Sequence, residues 1–325
     1  MNQLISRGLK ILFFIFIIIV SDQVIGLILR KLYFNQKEGS NRALNYTFKE
    51  CKSDILVFGA SQALHNYDSR IITDSLGLTC FDAGQDGGHS ILLQYAQIKV
   101  IAERYSPRLI FLEFNPKNIV HYPGDYDRLS ILLPYYKEYP ELRPLILLRS
   151  PYERIKLFSA IYPFNSKIFS IIRFNIDFLS RHKKDFEGYI PIKDKVMNIG
   201  MLKTNSEIVP QPVVDMNMLN ALENIIHICK KKNVTLCIVS SPLFHTVGEK
   251  RINNSFVENQ ALDIIRRENV KHFDFSYDSL FMGRLDWFAD AGHLNEEGAT
   301  NFTKALIRRI KYDKDLCSLL NVKKK

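Results

Sequence analysis

The stretch Asp54-Ile-Leu-Val-Phe-Gly-Ala-Ser61-Gln62 decides how this chain is read. Ile55 to Phe58 is a short unbroken apolar run, the pattern of a strand buried on both faces. It runs into Gly59-Ala60-Ser61, a tight turn of small residues, and a helix-like pattern follows from about Asp68. A strand that ends in such a turn leaves a serine at the carboxyl edge of an α/β sheet, where a nucleophile can be presented. Many parallel strands end in Gly and Ser, so the stretch gains meaning only with a base. The best candidate lies far along the chain, in Asp290-Ala-Gly-His293.

Outward from this stretch, strand and helix patterns alternate. Further strands are expected at Leu78–Phe81, Leu109–Phe114, Val234–Val239 and Lys271–Phe275. Helices are expected at Ser69–Leu76, Ile91–Tyr105, and about 215–231, 254–268 and 295–311. Repeated alternation of this kind predicts a parallel sheet covered on both faces. Residues 117–212 break the pattern. They are rich in Tyr, Phe and Pro, with a helix-like span from Tyr152 to Phe178 interrupted at Pro163. They read as an insertion over the sheet's carboxyl edge, either a substrate cap or a packing subdomain.

The amino-terminal region divides into a cytoplasmic segment (1–10), a membrane-spanning signal anchor (11–30) and a largely polar linker (31–52), before an α/β domain over 53–325. As a helix the apolar run covers roughly 28 Å, close to a bilayer core. No small-residue cleavage site follows it, which favours an uncleaved anchor over a removed signal peptide; a buried helix is the remaining alternative. Asp22 is costly in lipid and needs a partner or an interfacial position. Arg7 and Lys10 favour a cytoplasmic amino terminus, while Arg30 and Lys31 on the other flank oppose that reading.

The chain has 325 residues with 46% hydrophobic composition, enough for a sizeable core. Its net charge of +10, with Lys230–Lys232 and Lys323–Lys325 as basic knots, suits an anionic membrane surface or an acidic glycan. No nucleic-acid motif accompanies the charge, so no nucleic-acid partner is expected. The five cysteines, Cys51, Cys80, Cys229, Cys237 and Cys317, form no C-x-x-C pair, which argues against a disulfide framework or a zinc site. His121, His182, His227, His245 and His272 show no metal-ligand spacing, and neither metal nor cofactor is expected.

If the strands are parallel, Ser61, Gly84, Asn115 and Ser241 share one edge. A serine hydroxyl needs a base, an imidazole is the natural one near neutral pH, and a carboxylate can fix its tautomer. Asp290 and His293 on one short loop meet that need. Oxyanion donors would be the backbone N–H groups of Ser61 and Gly84 and the amide of Asn115. Simpler readings stand beside these. Ser61 can cap a helix, Asp290 can make an Asx-turn, and Asn295 reads as the cap of the last helix. His65 and His89 are either pocket residues or satisfied surface histidines. Glu113 and Asp86 are carboxylates near the edge with nothing to pair them for glycosidase chemistry.

These blocks resemble the SGNH/GDSL hydrolase superfamily, in a membrane-anchored cell-envelope branch. Phe58-Gly59-Ala60-Ser61 is similar to its serine block, Phe81-Asp82-Ala83-Gly84 to its glycine block, and Asp290 to His293 to its terminal block. Leu294-Asn295-Glu296-Glu297-Gly298-Ala299 resembles its helix entry. The likeness covers roughly 54–115 and 234–310. The serine block reads Gly-Ala-Ser rather than Gly-Asp-Ser, and Leu112-Glu113-Phe114-Asn115-Pro116 lacks the Gly-x-Asn-Asp form.

The resemblance implies a three-layer α/β/α fold with a flavodoxin-like five-stranded parallel sheet. It implies a Ser61–His293–Asp290 triad with Gly84 and Asn115 at the oxyanion. The expected activity is an esterase or O-acyltransferase acting on acyl, chiefly acetyl, esters of an envelope or exported polysaccharide. The expected setting is a bacterial inner membrane, single-pass, with the domain outside the cytoplasm. A transferase would also need a multi-span acyl-donor protein. The alternative is a non-catalytic, membrane-tethered glycan-binding or assembly protein of the same fold.

Overall fold

The computed structural model describes residues 2–36, 40–120, 122, 124–175, 187–198, 213–247 and 255–320. The Lys323–Lys325 tail, His121, His182 and the expected helical span beyond 175 lie outside them. In chain order the elements are α1 (Asn2–Phe34), α2 (Ser40–Lys49), β1 (Ile55–Phe58), α3 (Ser61–Asn66), α4 (Ser69–Leu76), β2 (Cys80–Asp82), α5 (Ile91–Arg104) and β3 (Leu109–Glu113). Then follow α6 (Arg143–Leu147), α7 (Glu153–Lys156), α8 (Ile168–Asn175), α9 (Met216–Lys231), β4 (Thr235–Ser240), α10 (Phe256–Arg267) and β5 (Lys271–Asp274). The chain closes with β6 (Phe288–Asp290), β7 (His293–Leu294), α11 (Glu296–Tyr312) and α12 (Lys314–Leu320).

The described residues fall into two units. One contains the N-terminal residues to Asn45 together with 126–175; the other contains the α/β sheet, Tyr46–Asp125 and the described residues from 187 onward. The expected insertion at 117–212 is thus divided, with 187–198 belonging to the sheet's unit.

In the α/β unit, β1 to β5 form one parallel sheet in the order β2-β1-β3-β4-β5, with Ile55 opposite both Cys80 and Leu109. Every residue of β1, β2 and β3 is buried, which explains why these strands read as continuous apolar runs. Helix α5 lies along α9, and α3 and α4 lie along α11. Helix boundaries follow local chemistry. Asp68 caps α4 by accepting from Arg70 N, and Gly77 ends it in the left-handed region at φ 67°. Ser255 and Glu258 form a reciprocal capping box on α10. Asn295 caps α11, with Glu296 and Glu297 in its first turn.

Three features differ from the sequence reading. The span expected as a linker over 31–52 carries α2. Its buried face, Asn41, Leu44, Asn45 and Phe48, has helical spacing, but two of those positions are polar and conceal the pattern. The turn after β1 is itself a helix, α3. The two short antiparallel strands β6 and β7 stand apart from the main sheet.

In the other unit, α1 has a 30-residue stretch, Ile5–Phe34, long and apolar enough to cross a membrane. The expected helix from Tyr152 is broken into α7, a 3₁₀ segment Tyr162–Lys167 and α8. Pro163 sits in the first turn of the 3₁₀ segment, where its missing N–H costs nothing.

Candidate active site

Strand β1 ends one residue before Gly59, and α3 begins at Ser61, so Ser61 stands at the carboxyl edge of the sheet at the start of a helix. The turn is too tight for a side chain at 59. A Cβ there would lie 2.7 Å from the Cβ atoms of both Ala63 and Glu113. The amides of the first turn of α3 have no intrahelical partners, and the N-cap residue Ala60 supplies no side-chain acceptor for them.

The other half of the site lies on the β6–β7 ribbon. The register pairs Asp290 with His293 across it, so the intervening Ala291-Gly292 brings carboxylate and imidazole together locally. Asp290 Oδ1 accepts from the backbone N–H groups of Gly292 and His293, each at 3.0 Å, and meets His293 Nδ1 at 2.8 Å. Burial pushes the Asp290 carboxyl up, but the hydrogen bonds from His293 and Gly292 outweigh it and hold the group below its usual range. An ionised carboxylate only accepts, so Nδ1 carries the proton and Nε2 is left as the acceptor. Ser61 Oγ lies 2.8 Å from Nε2 and donates to it. Ser61 and His293, 232 positions apart in sequence, and Asp290 thus form one hydrogen-bonded chain. The arrangement can withdraw the Ser61 proton as Oγ forms a bond and return it from Nε2 to a departing oxygen.

Several contacts hold the ribbon against the serine turn. Gln62 Nε2 donates to Gly292 O at 3.0 Å, and Phe244 N donates to Ala291 O at 3.0 Å. The buried Asn66 accepts from Leu294 N at 3.1 Å and donates to Ser241 Oγ at 3.1 Å. The segment 187–198 follows the same ribbon: Met197 N donates to Phe288 O at 2.7 Å, and Glu296 N to Ile192 O at 3.0 Å. Lys195 Nζ stands 3.8 Å from Asp290 Oδ2, with both side chains about half exposed. The His65 ring meets the His293 ring edge to face at 5.9 Å, and its Nδ1 is 2.7 Å from Ile190 O.

The remaining site residues of the sequence reading are placed as follows. Gly84 lies beside the serine turn, but its N–H donates to Asp82 Oδ1 at 2.8 Å. A Cβ at 84 would come within 2.5 Å of Leu64 N and 2.9 Å of Ala63 Cβ. Glycine is therefore required here for the close approach of α3, a reason different from the expected approach to a reacting carbonyl. Asn115 follows β3, and its carbonyl closes the Pro116–Asn118 turn by accepting from Asn118 N at 2.8 Å.

Behind the serine turn lies a second carboxylate. Glu113, at the end of β3, is buried and accepts from the Tyr67 hydroxyl and from Ser241 N at 3.2 Å. Burial pushes its carboxyl up to about 7, against the pull of those hydrogen bonds. Through Ser241 and Asn66 this group is linked to Leu294, the residue after His293. Sequence reasoning left Glu113 as a strand-end carboxylate and passed over Gln62, Asn66, Tyr67 and Lys195. Their partners are distant in sequence, and no local spacing announces them.

The five cysteines are buried and free. Burial pushes Cys229 and Cys237 up to about 12, far from a thiolate at neutral pH. Among the described residues, no group of three or more His, Cys, Asp or Glu side chains is arranged to hold a metal ion. No protein-family model matches this chain, and a comparison with the curated proteins finds no match.

Proposed function

We propose that the chain is a serine-dependent esterase or O-acyltransferase of the SGNH/GDSL hydrolase superfamily, acting on acyl esters, chiefly acetyl, of an envelope or exported polysaccharide. The three-layer, flavodoxin-like architecture belongs to this proposal, and the strand order β2-β1-β3-β4-β5 supports it. The observation that carries the reading is the unbroken path from Ser61 Oγ through His293 to Asp290 Oδ1, with both contacts at 2.8 Å.

On this reading Ser61 Oγ bonds to the acyl carbon while its proton passes to His293 Nε2. Asp290 stabilises the imidazolium through Nδ1–H. The carbonyl π pair moves to oxygen and returns as the C–O bond to the sugar breaks; the sugar oxygen takes the proton from Nε2. Water then releases the acyl group in an esterase, or a second sugar hydroxyl receives it in a transferase. The developing oxyanion falls to the Ser61 N–H, at the uncapped start of α3, and to Asn115. Helix α1 would anchor the protein as a single-pass protein of a bacterial inner membrane with the domain outside the cytoplasm. A transferase would draw its acyl group from a multi-span partner.

One observation favours a second reading, a non-catalytic glycan-binding or assembly protein: the Gly84 N–H is engaged by Asp82, which thins the set of oxyanion donors. A fluorophosphonate probe separates the two. The enzyme reading expects covalent labelling of the full chain and none of Ser61→Ala. An unlabelled wild type, or equal labelling of both, would overturn it.

A further inference from the structure

Helix α1 carries a carboxylate inside its apolar run, and that carboxylate is not left alone. Asp22 accepts from Ser159 Oγ at 2.5 Å and from the N–H groups of Ala160 at 2.6 Å and Ile161 at 3.4 Å. The neighbouring Gln23 donates to Phe158 O at 3.4 Å. One turn further along α1, a Cβ at Gly26 would collide with Ala160, so the chain at 158–161 lies directly against the helix.

The exposure pattern places this contact along the axis. Large apolar side chains from Ile5 to Val20 are exposed. Beyond Asp22, Val24, Ile25, Leu27 and Ile28 remain exposed, whereas Gly26 and Leu29 are buried. The apolar surface therefore continues past Asp22 and stops at Arg30, whose guanidinium pairs with Glu138 at 2.5 Å. Asp22 lies about eight residues short of that boundary, roughly 12 Å along the helix.

The segment facing Asp22 has the properties that depth would demand. Tyr152, Ile155 and Phe158 are 65%, 67% and 82% exposed, although nothing in an aqueous setting favours three such side chains in seven residues. Its one acid, Glu153, is fully buried and held by Arg149 at 2.9 Å, Lys156 at 3.0 Å and the Tyr162 hydroxyl at 2.8 Å. The irregular backbone is internally bonded. Leu157 N–H donates to Glu153 O, Phe158 to Ile155 O and Ser159 to Lys156 O, and the next two N–H groups go to Asp22. Non-helical chain is tolerated at membrane depth only when its polar groups are paired within the protein.

The unit supplies its own contrast. Phe169 on α8 is 89% exposed. Yet Ser170 O accepts from Gln36 and Ile171–Asn175 runs back beside Leu32, so α8 lies alongside the end of α1 beyond Arg30. Apolar exposure is thus found both inside and outside the Arg30 boundary, and the two are separable by experiment.

We propose that residues 152–161 form a second membrane-embedded element that dips beside α1 into the acyl-chain region, with Asp22 as the internal acceptor that makes its backbone tolerable there. The proposal rests on the reading of α1 as a membrane span. Arg154 and Lys156 flank the apolar side chains and suit anionic headgroups at the rim.

The test uses the full chain in phosphatidylcholine vesicles whose lipids carry bromine on the acyl chains. Trp287 is the only tryptophan and is buried, so wild-type emission is the baseline. Phe14→Trp, Ile155→Trp, Phe158→Trp and Phe169→Trp each add one reporter at an exposed position. The expected result is strong quenching at 14, loss of about half of the added emission at 155 and 158, matching a depth of roughly 5–10 Å, and little at 169. Quenching at 14 with none at 155 and 158 would overturn this proposal alone. No quenching at 14 would overturn the membrane reading of α1 and this proposal with it. Adding anionic phosphatidylglycerol is expected to deepen quenching at 155 and 158 and leave 169 unchanged.

Discussion

Two carboxylates of the α/β unit, distant in sequence, flank the serine turn and behave in opposite ways. Asp290 is about 41% exposed on a two-residue turn, and donors from its own loop hold its carboxyl low. Glu113 is sealed at the end of a central strand, accepts from Tyr67 and Ser241, and is still pushed up to about 7 by burial. The number of hydrogen bonds does not separate them, since both are well supplied. Solvent does. A partly wetted carboxylate with local donors stays charged and can stabilise a charge that appears on His293. A sealed one titrates near neutrality and serves the fold around the site. Proximity to a candidate nucleophile is therefore a poor guide to role unless burial is read with it.

The largest expected effects break the reactive side of that contrast. Ser61→Ala and His293→Ala should each lower turnover of p-nitrophenyl acetate by about 10⁵-fold, and combining them should cost little more, because the pair acts as a unit. Asp290→Asn keeps the shape but leaves Nδ1 without its charged acceptor, so kcat should fall by about 10⁴-fold with unchanged far-UV circular dichroism. A fall of less than tenfold for Asp290→Asn would remove the carboxylate from the mechanism.

Next in size is the sealed side. Glu113 binds a proton more tightly in the folded than in the unfolded state. Its share of stability is complete below its unfolded pKa of about 4.5 and is lost as pH rises toward about 7. The loss across that window is about 3 kcal/mol. Glu113→Gln cannot titrate, so the thermal midpoint of the detergent-solubilised variant should lack this decline between pH 5 and 8. Parallel curves for the two proteins would show that Glu113 is not the titrating group.

What was legible in the sequence follows the same division between local and distant causes. The central strands could be placed because strands buried on both faces write themselves as apolar runs, as in Ile55–Phe58 and Leu109–Leu112, whereas the edge strand β5, Lys271–Asp274, is only partly buried. Asp290 and His293 could be paired because three positions of spacing on one turn bring them together. Helix α3 could not be seen, since Ser61-Gln-Ala-Leu-His-Asn66 has no apolar period to display. Helix α2 was concealed because Asn41 and Asn45 are buried by bonds to Gln36 and to Tyr33 O and Tyr135, which hydropathy cannot register. The segment 187–198 is irregular, and it is held by contacts with residues far away in sequence, such as Met197 N with Phe288 O and Ile190 N with Leu64 O.

Asn66 tests the link between the two carboxylates at a smaller scale. Its side chain joins Leu294 N to Ser241 Oγ, so Asn66→Ala leaves the buried Leu294 N–H unpaired and takes one partner from the Ser241 hydroxyl, at a cost of about 1–3 kcal/mol. If Asn66 positions the His293 ribbon, kcat should fall by roughly tenfold while KM is unchanged, and Asn66→Asp should restore part of it by still accepting from Leu294 N. A stability loss with no change in kcat would assign Asn66 to the fold alone.

The smallest effect belongs to Lys195. Its ammonium lies 3.8 Å from Asp290 Oδ2, beyond hydrogen-bond distance, and both groups are about half exposed. Water and salt screen such a pair, so it contributes about 0.2–1 kcal/mol at most. Its pull on the Asp290 carboxyl is weaker than that of His293 and of Gly292. Lys195→Ala should therefore change kcat/KM by less than about threefold at low salt, and the difference should vanish above roughly 0.5 M NaCl as the screening length contracts. A loss of a hundredfold that survives high salt would mean that Lys195 meets the substrate rather than Asp290, and would move the boundary between the reactive and the supporting residues of this site.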